Sequence, residues 1–218
     1  MRKNNLIRLL LSFILISTLM SSTCSPEKDQ VVTLTTKFGN MKLILFDDTP
    51  LHKENFIKLV ENGTYDGTIF HRVIKGFMIQ GGDPFTKDPS KDPREYGTGG
   101  PGYTIPAEIK DNHPHRKGAV AAARLGDGMN PKRESSGSQF YIVEKDNGAN
   151  HLDGQYTVFG QIIDGFDVID SVAAQKTQYP DRPVEKIVVN FKVEQISKEK
   201  ITEEYGYNYP EVKEEEKK

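Results

Sequence analysis

Two runs of β-branched and aliphatic residues, Val31 to Thr36 and Met41 to Phe46, are separated by Phe38-Gly39-Asn40. Apolar side chains alternating on both sides of a glycine turn share one buried face only if the runs pair as a hairpin. Two later runs, YTVFGQII from Tyr156 and EKIVVNFKVEQI from Glu185, read as further strands. Helical signals are fewer. Asp48-Thr49-Pro50 stands before LHKENFIKLVENG, where a capping side chain, a first-turn proline, apolar Phe56, Ile57, Leu59 and Val60, and terminal Gly63 mark a helix. A second short helix fits GFDVIDSVAA from Gly165. Strands outnumber helices and do not alternate with them, so the expectation is a mainly β, antiparallel domain covered by two helices.

The amount of apolar material sets the number of cores. At 218 residues, 36% hydrophobic and 28% charged, the chain can fill one core of about 150 to 200 residues. The formal charge of −2 and the lack of a basic cluster interleaved with aromatics exclude the electrostatic footprint of a nucleic-acid binder. Nothing in the sequence calls for an oligomer, and a monomer is expected.

The two ends differ from the middle. Arg2, Lys3 and Arg8 precede an apolar run from Leu9 to Met20, shorter than the roughly 20 residues of a membrane span, so residues 1–23 read as a secretory signal peptide. Cys24, the single cysteine, follows in LMSSTCSPEKDQ. That segment resembles the site at which a bacterial lipoprotein is cleaved and lipidated on its new N-terminal cysteine. The alternative is ordinary cleavage that leaves a free thiol. Either reading takes the chain out of the cytoplasm, the first holding it in the cell envelope, lipid-anchored to a membrane and facing the periplasm or cell exterior, and a lone cysteine permits no internal disulfide. Loss of residues 1–23 removes three cations and no acids, moving the formal charge from −2 to −5. Residues 24–30 form a polar tether, 31–196 the folded domain, and 197–218 a charged tail. That tail is poor in aliphatics and is expected to be mobile, with Tyr205, Tyr207 and Tyr209 as a partner-binding strip or a plain solvated stretch.

Several chemistries are absent from the sequence. It has no G-x-S-x-G elbow, H-E-x-x-H pair or phosphate-binding G-x-x-x-x-G-K-[ST] loop. Pro114 separates His113 from His115 and spoils a metal-binding helix, so neither a metal nor a cofactor is expected.

What stands out is FHRVIKGFMIQGGD, Phe70 to Asp83, which sets one arginine among aromatic and aliphatic side chains with no acid, base or nucleophile clearly beside it. Rotation about an X-Pro peptide bond needs none of these, because no covalent bond breaks. Its barrier is amide resonance, about 18 to 20 kcal/mol. In the twisted state the proline nitrogen regains a lone pair, and a fixed donor aimed at it stabilises that state over both planar isomers. Arg72 has the permanent charge and planar fork for the task, and Phe77 and Met78 could wall an apolar cup for the pyrrolidine ring. Taken singly, the arginine could equally be a buried ion-pair partner, Phe77 and Met78 core residues, and the glycines bulge positions. His71, on the other side of the strand, reads as structural.

Together with GTGGPGYTIPAE, SSGSQFYIV and HLDGQYTVFGQIIDGFDVID, this segment resembles the cyclophilin type of peptidyl-prolyl isomerase, from about Val31 to Ile196. The resemblance implies a closed eight-stranded antiparallel barrel capped by two helices, with a shallow surface groove as the site. By motif position it implies Arg72 as the catalytic arginine, Gln80 as the glutamine that orders it and the substrate carbonyl, and Phe77 and Met78 as the proline pocket. Ala123, Gln139, Tyr141, His151, Leu152 and Tyr156 fall on groove positions. Tyr141, His151 and Tyr156 replace the phenylalanine, tryptophan and histidine of well-known animal members. The segment between Gly82 and Gly97 is longer than the family's usual link and reads as an exposed loop. The implied activity is prolyl isomerisation of proline-containing polypeptides, assisting the folding of exported proteins. A second reading is a membrane-anchored module that binds or scaffolds proline segments with little turnover.

Overall fold

The computed structural model of the protein describes residues 26–210. Cys24 and the N-terminal apolar run lie outside them, as do residues 211–218. The chain begins with β1 (Lys28–Thr36) and β2 (Gly39–Leu45), followed by α1 (Pro50–Glu61). Next come β3 (Thr68–Ile69), β4 (Arg72–Ile74), β5 (Met78–Gly81), β6 (Thr104–Ile105), β7 (Ala119–Ala122), β8 (Ser135–Ser136) and β9 (Phe140–Val143). The last third holds β10 (Val158–Asp164), α2 (Phe166–Ala173), β11 (Thr177–Gln178), β12 (Arg182–Pro183), β13 (Val188–Ser197) and α3 (Lys198–Tyr205).

The expected hairpin forms with Thr36 opposite Gly39. Gly39 sits at φ 130°, a backbone angle that glycine adopts and other residues rarely do. The sheet itself departs from the closed eight-stranded barrel. It is an open, curled antiparallel sheet of nine strands in the order β3-β13-β1-β2-β10-β7-β9-β5-β4. Its edge strands β3 and β4 are joined by Phe70-His71, and these two residues turn to different partners: Phe70 N donates to Ile187 O and His71 N to Gln80 O. The seam is therefore bridged by the chain itself and not by a ladder of hydrogen bonds.

Alternation along the strands divides the apolar residues between two clusters. Val120, Ile142 and Ile79 point into the main core with Phe56, Phe140 and Phe159. Their neighbours Ala121, Tyr141 and Met78 point to the opposite face and form a second cluster. That second face carries the site.

α1 and α2 cover the sheet where the sequence places them, but the cap of α1 differs. The Thr49 side chain makes no capping bond. Instead the N–H groups of Leu51 and His52 donate to the carboxylate of Glu108, at 3.2 and 3.0 Å. An anion from a distant loop thus meets the positive end of the helix.

The described part of the tail, residues 197–210, also differs from expectation. Ser197 caps α3 by accepting from Lys200 N, and Ile201 is fully buried against Val31, Ile44 and Ile163. Tyr205, Tyr207 and Tyr209 pack on the same patch, and the Tyr209 hydroxyl donates to Asp29 at 3.2 Å. The composition argument missed this because one buried isoleucine and three tyrosines supply the apolar area that the charged residues lack.

Candidate active site

Register brings the site together. Arg72 on β4 lies opposite Gln80 on β5, Gln80 opposite Tyr141 on β9, and Tyr141 opposite Ala121 on β7. Facing residues of neighbouring strands point to the same side of a sheet, so Arg72, Gln80 and Tyr141 form one transverse row. A parallel row runs through Ile74, Met78 and Val143. Arg72, Gln80 and Tyr141 of the first row and Met78 of the second line a groove of about 900 Å³.

Arg72, Phe77, Met78, Gln80, Ala123, Tyr141, Leu152 and Tyr156 all line it. Met78 and Tyr141 are almost wholly buried and make a rigid floor, whereas the Arg72 side chain is 43% exposed at the edge. Gln139 and His151 do not line the groove. Gln139 stands behind it, donating Nε2 hydrogens to Gly97 O at 3.0 Å and Gly99 O at 2.7 Å. Those two bonds turn its Oε1 toward Gln80, whose Nε2 donates to it at 3.1 Å. The amide of Gln80 is thereby oriented, although its partner is Gln139 and not Arg72. His151 is exposed at the rim with its ring centroid 5.6 Å from that of Phe77.

Sequence reasoning missed the residues behind and beyond the floor. His115 is buried, its Nδ1 lies 2.7 Å from Asp153 Oδ1, and its Nε2 lies 2.9 Å from the Tyr141 hydroxyl. A carboxylate only accepts, so Nδ1 carries the proton and Nε2 accepts from Tyr141. Burial lowers the His115 pKa against the pull of Asp153, which keeps the ring neutral, and burial also raises that of Tyr141. Arg124 stacks 4.5 Å over the Tyr156 ring and is anchored by Asp127 at 2.6 Å. The place of Arg124 directly after Ala123, itself a groove position, could have suggested it. Nothing local links His115 to Tyr141.

The long segment after Gly82 is ordered around Asp83. This carboxylate is fully buried and accepts from the N–H groups of Phe85, Gly97 and Gly99. A Cβ at Gly99 would fall 2.1 Å from Asp83 Oδ1, so only glycine lets the backbone come this close. The loop is more than an exposed link, since Pro93, Arg94 and Tyr96 form a groove wall. His71 lies under it, 5% exposed, with neither ring nitrogen hydrogen-bonded to a described residue. Burial pushes its pKa down to about 4, so it adds no charge beside Arg72.

Among the described residues, no three His, Cys, Asp or Glu side chains are grouped to hold a metal ion. A cation at the edge of an apolar, tyrosine-floored groove can orient and polarise an amide but offers no nucleophile.

The family model "Cyclophilin type peptidyl-prolyl cis-trans isomerase/CLD" matches residues 31–193. The chain belongs to the cyclophilin family. It is 42% identical over 161 residues to a peptidyl-prolyl cis-trans isomerase of Arabidopsis thaliana, covering 73% of this chain and 92% of that one. It is 46% identical over 132 residues to one of Synechococcus elongatus, covering 60% and 79%. The crystal structure of a Cryptosporidium parvum cyclophilin type isomerase superposes with a TM-score of 0.66 at 31% identity, covering 77% of this chain and 98% of that one. The activity of this cyclophilin is peptidyl-prolyl cis-trans isomerisation.

In this cyclophilin the groove geometry supports that reaction through shape and charge. Phe77, Met78, Tyr141 and Leu152 bound an apolar recess with Arg72 and Gln80 at its edge. A pyrrolidine ring held in such a recess would stay fixed while the acyl side of the amide turns.

Proposed function

We propose that Arg72 is the catalytic donor of this cyclophilin, that its substrates are proline-containing polypeptide segments, and that it assists the folding of exported proteins while lipid on Cys24 holds it at a membrane. The observation that carries the catalytic part is the transverse row that sets Arg72 and Gln80 beside Tyr141 and Met78. A guanidinium there meets the proline nitrogen only when the amide twists and the lone pair appears, so it stabilises the transition state selectively. Gln80, with its amide oriented through Gln139, holds the carbonyl of the residue before proline. A Cryptosporidium parvum relative, 30% identical with a TM-score of 0.65 and covering 75% of this chain and 98% of that one, was crystallised in the presence of the dipeptide Ala-Pro. That supports proline segments as the ligand class.

A coupled assay on a short X-Pro peptide tests the donor role with Arg72→Ala and Arg72→Lys. Both should be strongly impaired, the lysine because it lacks the planar fork. Near-natural activity in folded Arg72→Ala would remove the arginine from the mechanism. The membrane part rests on the apolar run and Cys24. Cys24→Ala should shift the protein out of the detergent phase or block its processing, and unchanged partitioning would leave simple secretion.

A further inference from the structure

The groove does not stop at Arg72. It is walled as well by the tip of the β11–β12 hairpin, Tyr179 to Arg182, and by the turn from Pro93 to Gly97. The two walls are tied together, since Arg182 Nη1 donates to Pro93 O at 2.7 Å. The hairpin is also tied to the strand that carries the arginine, because Val73 N donates to Asp181 O at 2.8 Å. Asp181 sits at φ 68°, a left-handed angle that aspartate and asparagine tolerate better than most residues. The result is a carboxylate beside Arg72: Asp181 Oδ2 lies 3.6 Å from Arg72 Nε.

That contact has two informative features. At 3.6 Å it exceeds hydrogen-bond length, so Asp181 acts on the guanidinium as a fixed charge. Its closest approach is through Nε, the inner edge of the fork, which leaves the terminal nitrogens for another partner. No other acidic side chain forms an ion pair with Arg72 among the described residues.

We propose that Asp181 is a positioning residue for Arg72, holding the guanidinium by its Nε edge so that the terminal nitrogens are presented to the twisting amide. The inference rests on Arg72 being the donor. Without the carboxylate, a half-exposed arginine samples more rotamers, and part of its stabilisation of the transition state is lost to reordering. Both partners are close to half exposed, so the effect is that of a solvent-screened pair, about two- to fivefold in rate.

The test compares the natural protein with Asp181→Asn, Asp181→Ala, Arg72→Ala and the Arg72→Ala, Asp181→Ala double variant. Asp181→Asn keeps a residue suited to the left-handed angle, so it stays informative if the alanine variant folds poorly. Both single aspartate variants should lose about two- to fivefold in kcat/KM. The Asp181 substitution should cost nothing further when Arg72 is already alanine. The Nε–H resonance of Arg72, identified by its absence in Arg72→Ala, should show a lower order parameter in Asp181→Asn. Unchanged kcat/KM in Asp181→Asn, or an equal loss in the Arg72→Ala background, would overturn the positioning role and leave Arg72 as donor. Natural activity in Arg72→Ala would overturn both.

Discussion

The hydroxyl of Tyr141 donates to Nε2 of His115 across 2.9 Å, and the two rings lie nearly parallel, 10° apart, with their centroids 6.0 Å from each other. This bond, with Asp153 on the far side of the imidazole, fixes the ring that floors the groove. Tyr141→Phe should keep the apolar floor while leaving a buried Nε2 without a donor. The cost should be about 1 to 3 kcal/mol of folding stability, with kcat/KM nearly intact. Urea denaturation and the peptide assay, run on the same sample, separate the two. A large loss of activity at unchanged stability would place the hydroxyl in the chemistry instead.

A second expectation concerns pH. An unfolded imidazole takes up its proton near pH 6.5, whereas burial delays protonation of His71 to about pH 4. Between those values the unfolded chain binds the extra proton, so stability is full above about pH 6.5 and falls as the pH drops toward 4. The loss from this group is about 3 kcal/mol. Burial of His52 and His115 acts in the same direction. Denaturation midpoints at pH 7 and pH 4.5 should therefore differ, and the difference should shrink in His71→Gln. An equal pH slope in that variant would contradict the assignment.

The C-terminal segment yields a third. Ile201 is fully buried against Val31, Ile44 and Ile163, so Ile201→Ala should destabilise the protein by about 2 to 5 kcal/mol. Isomerase activity at low temperature should be unaffected, because the groove is lined by other elements. A denaturation midpoint equal to that of the natural protein would mean that the segment does not dock in solution.

What the sequence reveals of all this follows from the range of the interactions. The hairpin, α1, α2, β10 and β13 are legible because their periodicity is local. So is the Phe70–Asp83 segment, since β4 and β5 adjoin in the chain and place Arg72 opposite Gln80. Glu108 at the start of α1, His115 behind Tyr141 and Asp181 beside Arg72 are not legible, because each reaches its partner through tertiary pairing. The open seam at Phe70-His71 escaped for another reason. Two residues that bond to different strands leave no pattern of alternation. α3 was hidden by composition, which averages over a segment and overlooks a single well-placed isoleucine.

The donor role of Arg72 makes a claim about the barrier and not about affinity, and exchange spectroscopy on a bound peptide reads the two separately. With a short X-Pro peptide, the dissociation constant and the cis–trans interconversion rate on the protein can be taken from the same resonances, for the natural protein and for Arg72→Ala. Loss of one preorganised donor should slow interconversion by about 2 to 4 kcal/mol of barrier while the dissociation constant changes little. If Arg72→Ala instead weakens binding and interconverts the bound peptide at the natural rate, the arginine serves only to hold substrate, and its role as transition-state donor is wrong.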